Sequence, residues 1–212
     1  MTAGGSLRDE PFEAEVIERT RVFDGKIWDV VRETFDYNGE PITREYVDHT
    51  GAVAILALDD AERILLIKQY RHPIRSRDWE IPAGLLDDEG EEALEAAQRE
   101  LAEEADIAAE QWNVLVDYVN SPGGSNESVR VYLARGISDV DAFERTAEEA
   151  DIEVRWVSLD EALDGVLNRH LQNPSTVIGV LAAAAARARG WDTLAPGDAP
   201  WPRHPKLGDG SW

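Results

Sequence analysis

The sequence predicts an α+β fold, a mixed sheet packed with three helices behind an N-terminal antiparallel β meander. Three patterns carry that reading. Strand-like runs punctuated by Asp24-Gly25 and Asn38-Gly39 fill residues 12–50; short apolar strands alternate with polar turns after Gly51; and three later segments carry helical signals, the first crowded with glutamate from Glu91 to Glu104.

The elements follow in chain order. Residues 1–11 lack an apolar run and are expected as a flexible lead. Residues 13–22, 27–36 and 42–48 read as the meander strands of a subdomain spanning 12–50, because Asp-Gly and Asn-Gly both favour tight hairpin turns and Pro41 is tolerable at a strand start. The main domain, 51–192, opens with apolar strands at 52–58 and 64–70 joined by the polar turn 59–63. A short strand at 79–81 leads through the loop Pro82-Ala83-Gly84 into the acidic helix. Further strands are expected at 113–119, 129–134 and 152–157. Ser158 and Glu161 have capping-box spacing, which starts a helix through about Asn168, and the alanine-rich stretch 175–189 is the third helix. Residues 193–212 read as a Pro- and Gly-rich tail that Trp201 and Trp212 could pin down.

Composition limits what this fold can do. At 212 residues the chain suits one well-buried domain with a small appended subdomain, and 43% hydrophobic content with seven Trp supports an ordinary core. A net charge of −22 argues against nonspecific binding to nucleic acid or to an anionic membrane surface, so an anionic substrate must be met by local arginines or metal ions. Without cysteine there is no disulfide framework, thiol nucleophile or Cys-based zinc site. His49, His72, His170 and His204 are scattered, which argues against a histidine metal site. The N-terminus has no apolar signal region and no stretch approaches a membrane span, so cytoplasmic residence is the default expectation. On the same ground the Asn126-Glu127-Ser128 sequon is discounted.

The chemistry points to the acidic helix. Glu100, Glu103 and Glu104 lie at i, i+3 and i+4 and project from one turn, where unpaired they would repel. Leu94, Ala97, Leu101 and Ala105 form one apolar stripe, which Glu100 and Glu104 flank at the edge of the core. Partly dehydrated acids there need a cation, and an all-oxygen ligand set suits Mg²⁺ or Mn²⁺ better than zinc. The competing reading is a solvated acidic face. The spacing decides between them. Glu91, seven residues, then Arg99-Glu100-Leu101-Ala102-Glu103-Glu104 and Ile107 resemble the Nudix hydrolase box: glycine, five residues, glutamate, seven residues, then Arg-Glu-U-x-Glu-Glu-x-Gly-U with U aliphatic. Two positions depart from it: six residues separate Gly84 from Glu91, and Asp106 stands where the box has glycine. That glycine takes the left-handed conformation closing the helix, which Asp tolerates at a cost of about 1 kcal/mol or less.

The resemblance implies a Nudix-type α/β/α sandwich over the main domain, and within the family an ADP-ribose pyrophosphatase. Pro122, in Ser121-Pro122-Gly123-Gly124-Ser125, lies sixteen residues beyond Asp106, a spacing that resembles that subgroup. The implied reaction is Mg²⁺-dependent hydrolysis of ADP-ribose to AMP and ribose 5-phosphate, with Mn²⁺ as a possible substitute. Glu100, Glu103, Glu104 and the backbone carbonyl of Ala83 are the implied metal ligands. Glu149 or Glu148, in the loop before the strand at 152–157, is the implied general base, with Glu149 preferred. Arg44 and Arg71 are implied nucleotide contacts, Trp28 an adenine stacker, and Gly123 and Gly124 a close backbone approach to the ligand. The meander resembles the one through which dimeric relatives associate, which implies a homodimer. Another nucleoside diphosphate derivative, a nucleotide sugar or dinucleotide, and a non-catalytic ADP-ribose sensor are the alternatives.

Overall fold

The computed structural model describes residues 7–88, 90–143 and 152–208. The chain divides into two units: residues 50–120 with 127–199, and residues up to His49 with 121–126 and those from Pro200 onward.

In the meander unit, β1 (Val16–Phe23), β2 (Asp29–Tyr37) and β3 (Glu40–Asp48) form an antiparallel sheet in the order β1-β2-β3. Asn38-Gly39 makes the tight turn the sequence predicts: both residues have positive φ, 58° and 83°, and β2 and β3 pair without a shift from Tyr37–Glu40 to Asp29–Asp48. Asp24-Gly25 does not make the expected tight turn. The Gly25 N–H is captured by the Asp29 carboxylate at 3.2 Å, and the connection runs on to Trp28 before β2 starts. Residues 121–126 lie alongside β3: Val47 N–H donates to the Gly124 carbonyl at 2.9 Å and Val47 forms a parallel bridge with Ser125. Trp201 and His204 are buried against each other with ring centroids 4.6 Å apart, and two backbone N–H groups, of Lys206 and Leu207, donate to His204 Nδ1. Trp212 lies outside the described residues.

The second unit holds two sheets. A five-stranded mixed sheet has the order β11-β8-β9-β4-β7, with β4 (Ala52–Ala57) parallel to β9 (Ser128–Asp139) and the other pairs antiparallel. Its remaining strands are β7 (Ala83–Leu85), β8 (Ile107–Val119) and β11 (Ala195–Pro196). The antiparallel order β10-β5-β6 joins β5 (Arg63–Arg71), β6 (Ser76–Glu80) and β10 (Glu153–Ser158). The helices are α1 (Ala93–Ala105), α2 (Leu159–Leu167) and α3 (Pro174–Arg187). Leu56 and Val131 approach Gly179 of α3, whereas α1 packs against β4, β7 and β8; β4 is consequently buried on both faces, Val53 to Ala57 being fully inaccessible. This is the mixed-sheet α+β architecture the sequence predicts.

Three differences from the expected elements bear on the site. Pro82-Ala83-Gly84 is not simply a loop, because Ala83 and Gly84 pair with Ala54 and Val53 of β4 as a short strand. Helix α1 buries Ala93, Ala96, Ala97, Leu101, Glu104 and Ala105, so Leu94 is only half-buried and Glu104 sits in the apolar stripe instead of beside it. Strands β8 and β9 run well past the expected 113–119 and 129–134, pairing as far as Ile107 with Asp139. No helix among the described residues is long and apolar enough to cross a membrane.

Candidate active site

Two acids of α1 converge on β7. Glu104 is 4% exposed, and its Oε2 accepts the Ala83 N–H at 2.9 Å. One turn earlier, the Glu100 carboxyl lies against Gly84 so closely that a Cβ there would overlap it. Gly84 has no positive φ, so the glycine is required by this close approach and not by its backbone conformation. Helix α1 is held at its start by a reciprocal cap between Glu92 and Glu95, which the sequence reading does not foresee because Glu is an unusual N-cap. It ends as expected at Asp106, whose φ of 55° and ψ of 34° are left-handed. Asp106 adds a contact glycine could not supply, its Oδ1 accepting the Phe143 N–H at 2.8 Å.

Arg99 organises the outer side of the helix. Its guanidinium grips Glu91 through two bonds of 2.9 Å each, and its Nη1 reaches Glu100 at 2.7 Å and Glu103 at 3.3 Å. The bonds from Arg99 hold the Glu91 carboxyl below the usual carboxylate range against the opposing effect of burial, and the same bonds push the Arg99 pKa upward. Glu91 is therefore the chief anchor of the arginine that orients Glu100.

Among the described residues no three His, Asp or Glu side chains are gathered closely enough to hold a metal ion. The expected set is split: Glu104 bonds Ala83, Glu100 and Glu103 bond Arg99, and Glu103 is 41% exposed. Glu100 and Glu104 still face the same dipeptide, Ala83-Gly84, as an all-oxygen donor pair, which is the chemistry a hard divalent ion requires.

The other residues singled out by sequence fall as follows. Arg71 ends β5 in a bidentate pair with Glu80, whose side chain is 2% exposed, so most of its guanidinium is engaged within this unit. In the meander unit, Arg44 is exposed on β3 and donates to the Thr43 carbonyl at 2.8 Å. Trp28 is 44% exposed and stacks on buried His49, ring centroids 5.3 Å apart. Gly123 and Gly124 are exposed, and a Cβ on either would meet nothing within 4 Å. Asn126, passed over in the sequence except as a sequon, fixes this loop: its Oδ1 accepts the His49 N–H and its Nδ2 donates to Asp48 Oδ1, both at 2.8 Å. Glu148 and Glu149 lie outside the described residues.

Comparison with known proteins places the chain in a family. Residues 48–176 match the family model described as NUDIX domain. An ADP-ribose pyrophosphatase of Mycobacterium tuberculosis is 46% identical over 163 residues, 77% of this chain and 78% of that protein. One from Bacillus subtilis is 36% identical over 79% of this chain and 91% of its own, and a methanol dehydrogenase activator of Bacillus methanolicus is 33% identical over 80% and 91%. The fold matches a crystal structure of an ADP compounds hydrolase with a TM-score of 0.71 at 18% identity, covering 86% of this chain and 99% of that one. The chain belongs to the Nudix family.

Proposed function

We propose that the protein hydrolyses ADP-ribose to AMP and ribose 5-phosphate. The observation that carries this reading is the convergence of Glu100 and Glu104 on Ala83-Gly84, within a chain 46% identical to a protein named ADP-ribose pyrophosphatase. Glu100 and Glu104, with the Ala83 carbonyl and Glu103 at the outer side, would hold Mg²⁺, or Mn²⁺ in its place. Such an ion, when bound, neutralises phosphate oxygens and lowers the pKa of water. Arg99 orients Glu100 and is itself fixed by Glu91. Glu149, or Glu148, serves as the base that takes the proton as water oxygen bonds to phosphorus and the bridging phosphorus–oxygen bond breaks. Arg71, Arg44, Trp28, Gly123 and Gly124 are proposed substrate contacts.

A homodimer is proposed through the meander, because β1 is an edge strand with every residue exposed, including Ile17 at 59% and Phe23 at 62%. The substrate assignment is tested by a panel of ADP-ribose, nucleotide sugars and dinucleotides with Mg²⁺, products being quantified. ADP-ribose is expected to have the highest kcat/KM, and faster turnover of a nucleotide sugar or dinucleotide would overturn the assignment. Binding of ADP-ribose without any turnover would instead favour a sensor.

A further inference from the structure

Away from α1 and β7, the same unit contains a cavity of about 350 Å³ between the β10-β5-β6 sheet and α2. Its floor is core: Leu66, Val157 and Ala162 are all at most 6% exposed. One wall is the indole of Trp79, over which the Lys68 ammonium lies 5.3 Å from the ring centroid. The opposite end is a stiff turn. There Leu171 is folded onto Gly165, where a Cβ would come within 3.1 Å of its side chain, and the N–H groups of His170 and Leu171 both donate to the Gly165 carbonyl. The cavity is thus formed by hydrogen-bonded backbone and core side chains, with the size and apolar floor usual for small-molecule sites.

The mouth decides the chemistry. Its acids are Glu161 and Asp164, and its one arginine, Arg155, is bonded to Glu161 at 2.7 Å. Arg155 is thus held by Glu161, and Lys68 by Glu153 at 3.5 Å, while Asp164 adds a further carboxylate; a phosphate would find no surplus positive charge, whereas ring and exocyclic N–H groups would find acceptors. The indole wall suits a flat ring. We propose that this cavity is a second small-molecule site that takes an uncharged nitrogen heterocycle of nucleobase or nucleoside size and rejects the phosphorylated form.

The test is amide and indole NMR of the whole chain, titrated separately with adenosine and AMP in metal-free buffer. Adenosine is expected to shift the Gly165 and Leu171 amides and the Trp79 indole saturably, while AMP leaves them in place. Ala162→Leu, which fills the floor, should weaken adenosine binding at least about tenfold. Asp164→Asn, on the exposed side of α2, should weaken it roughly threefold to tenfold and guards against an Ala162→Leu chain that does not fold. Unmoved cavity resonances at roughly ten millimolar adenosine, shifts confined to Gly84 and Arg99, AMP shifting the cavity as strongly as adenosine, or unchanged binding in both variants would each overturn the proposal. Because the hydrolytic reading is tested by turnover of ADP-ribose, either proposal can fail without the other.

Discussion

Gly84→Ala isolates the contact between β7 and the acidic helix. The backbone at Gly84 has no positive φ, so alanine brings no conformational penalty, and the perturbation reduces to one methyl group. That methyl group would overlap Cγ and the carboxyl of Glu100. Non-bonded carbon atoms rest at about 3.5–4.0 Å, so the carboxyl must retreat by roughly 1.5 Å. Glu100 is the end of a flexible side chain, and replacing glycine also restricts the unfolded chain, so global stability should change by no more than about 1 kcal/mol. Function should change far more. A displaced ligand typically lowers metal affinity 10- to 100-fold, and an ångström of misplacement costs about 100-fold in rate. The assay pairs calorimetric Mg²⁺ titration with steady-state AMP release from ADP-ribose, and urea unfolding controls for stability. Mg²⁺ affinity and kcat/KM within twofold of the parent would refute the reasoning, as would a stability loss above about 3 kcal/mol, which would mean that Gly84 serves packing instead.

Further predictions concern the supports of the site. Arg99→Gln should lower stability by an amount that depends on pH. Glu91 has a depressed pKa in the folded state, so its bond to Arg99 contributes above the unfolded-state value near 4.5 and is lost as pH falls through the folded-state value. The difference between parent and variant in urea unfolding should therefore be largest above about pH 5 and shrink on acidification. At the helix end, Asp106→Gly relieves a left-handed residue by about 1 kcal/mol but loses the bond to Phe143, worth about 1 kcal/mol, so it should be nearly neutral. Asp106→Ala keeps the strain and loses the bond, so it should cost about 1–2 kcal/mol in the same measurement. Asn126→Ala removes both side-chain bonds that tie residues 121–126 to His49 and Asp48, and should cost about 1–3 kcal/mol by thermal unfolding.

Local chemistry was legible in the sequence wherever it is decided by neighbours along the chain. Asn38-Gly39 turns as its dipeptide dictates, Asp106 closes α1 in the left-handed region, and Ser158 caps α2 by accepting the Glu161 N–H. What escaped sequence reading is decided across the fold. Strand β7 exists because β4 offers it a partner, and Asp24-Gly25 fails to turn tightly because Asp29, four residues on, captures its N–H. Glu104 is more buried than its helical position suggested, since β7 supplies a backbone donor that lets a carboxylate enter the stripe. Asn126 and Glu80 carried no local signal, for their partners lie 77 and 9 residues away. The glutamates and the arginine were nonetheless identified through their resemblance to the Nudix box, and Gly84 in spite of standing one residue out of its spacing; in the structure Glu100 lies against Gly84, Arg99 bonds Glu91, Glu100 and Glu103, and Glu104 accepts the Ala83 N–H.

We propose that Glu100 and Glu104 hold the cation on which cleavage depends. It is tested most directly by following AMP and ribose 5-phosphate release from ADP-ribose with Mg²⁺, after chelation, and in the Glu100→Gln, Glu104→Gln double variant. Equimolar products are expected with Mg²⁺, none after chelation, and turnover reduced at least about 100-fold in the variant. Undiminished turnover in the chelated enzyme or in the folded double variant would contradict it.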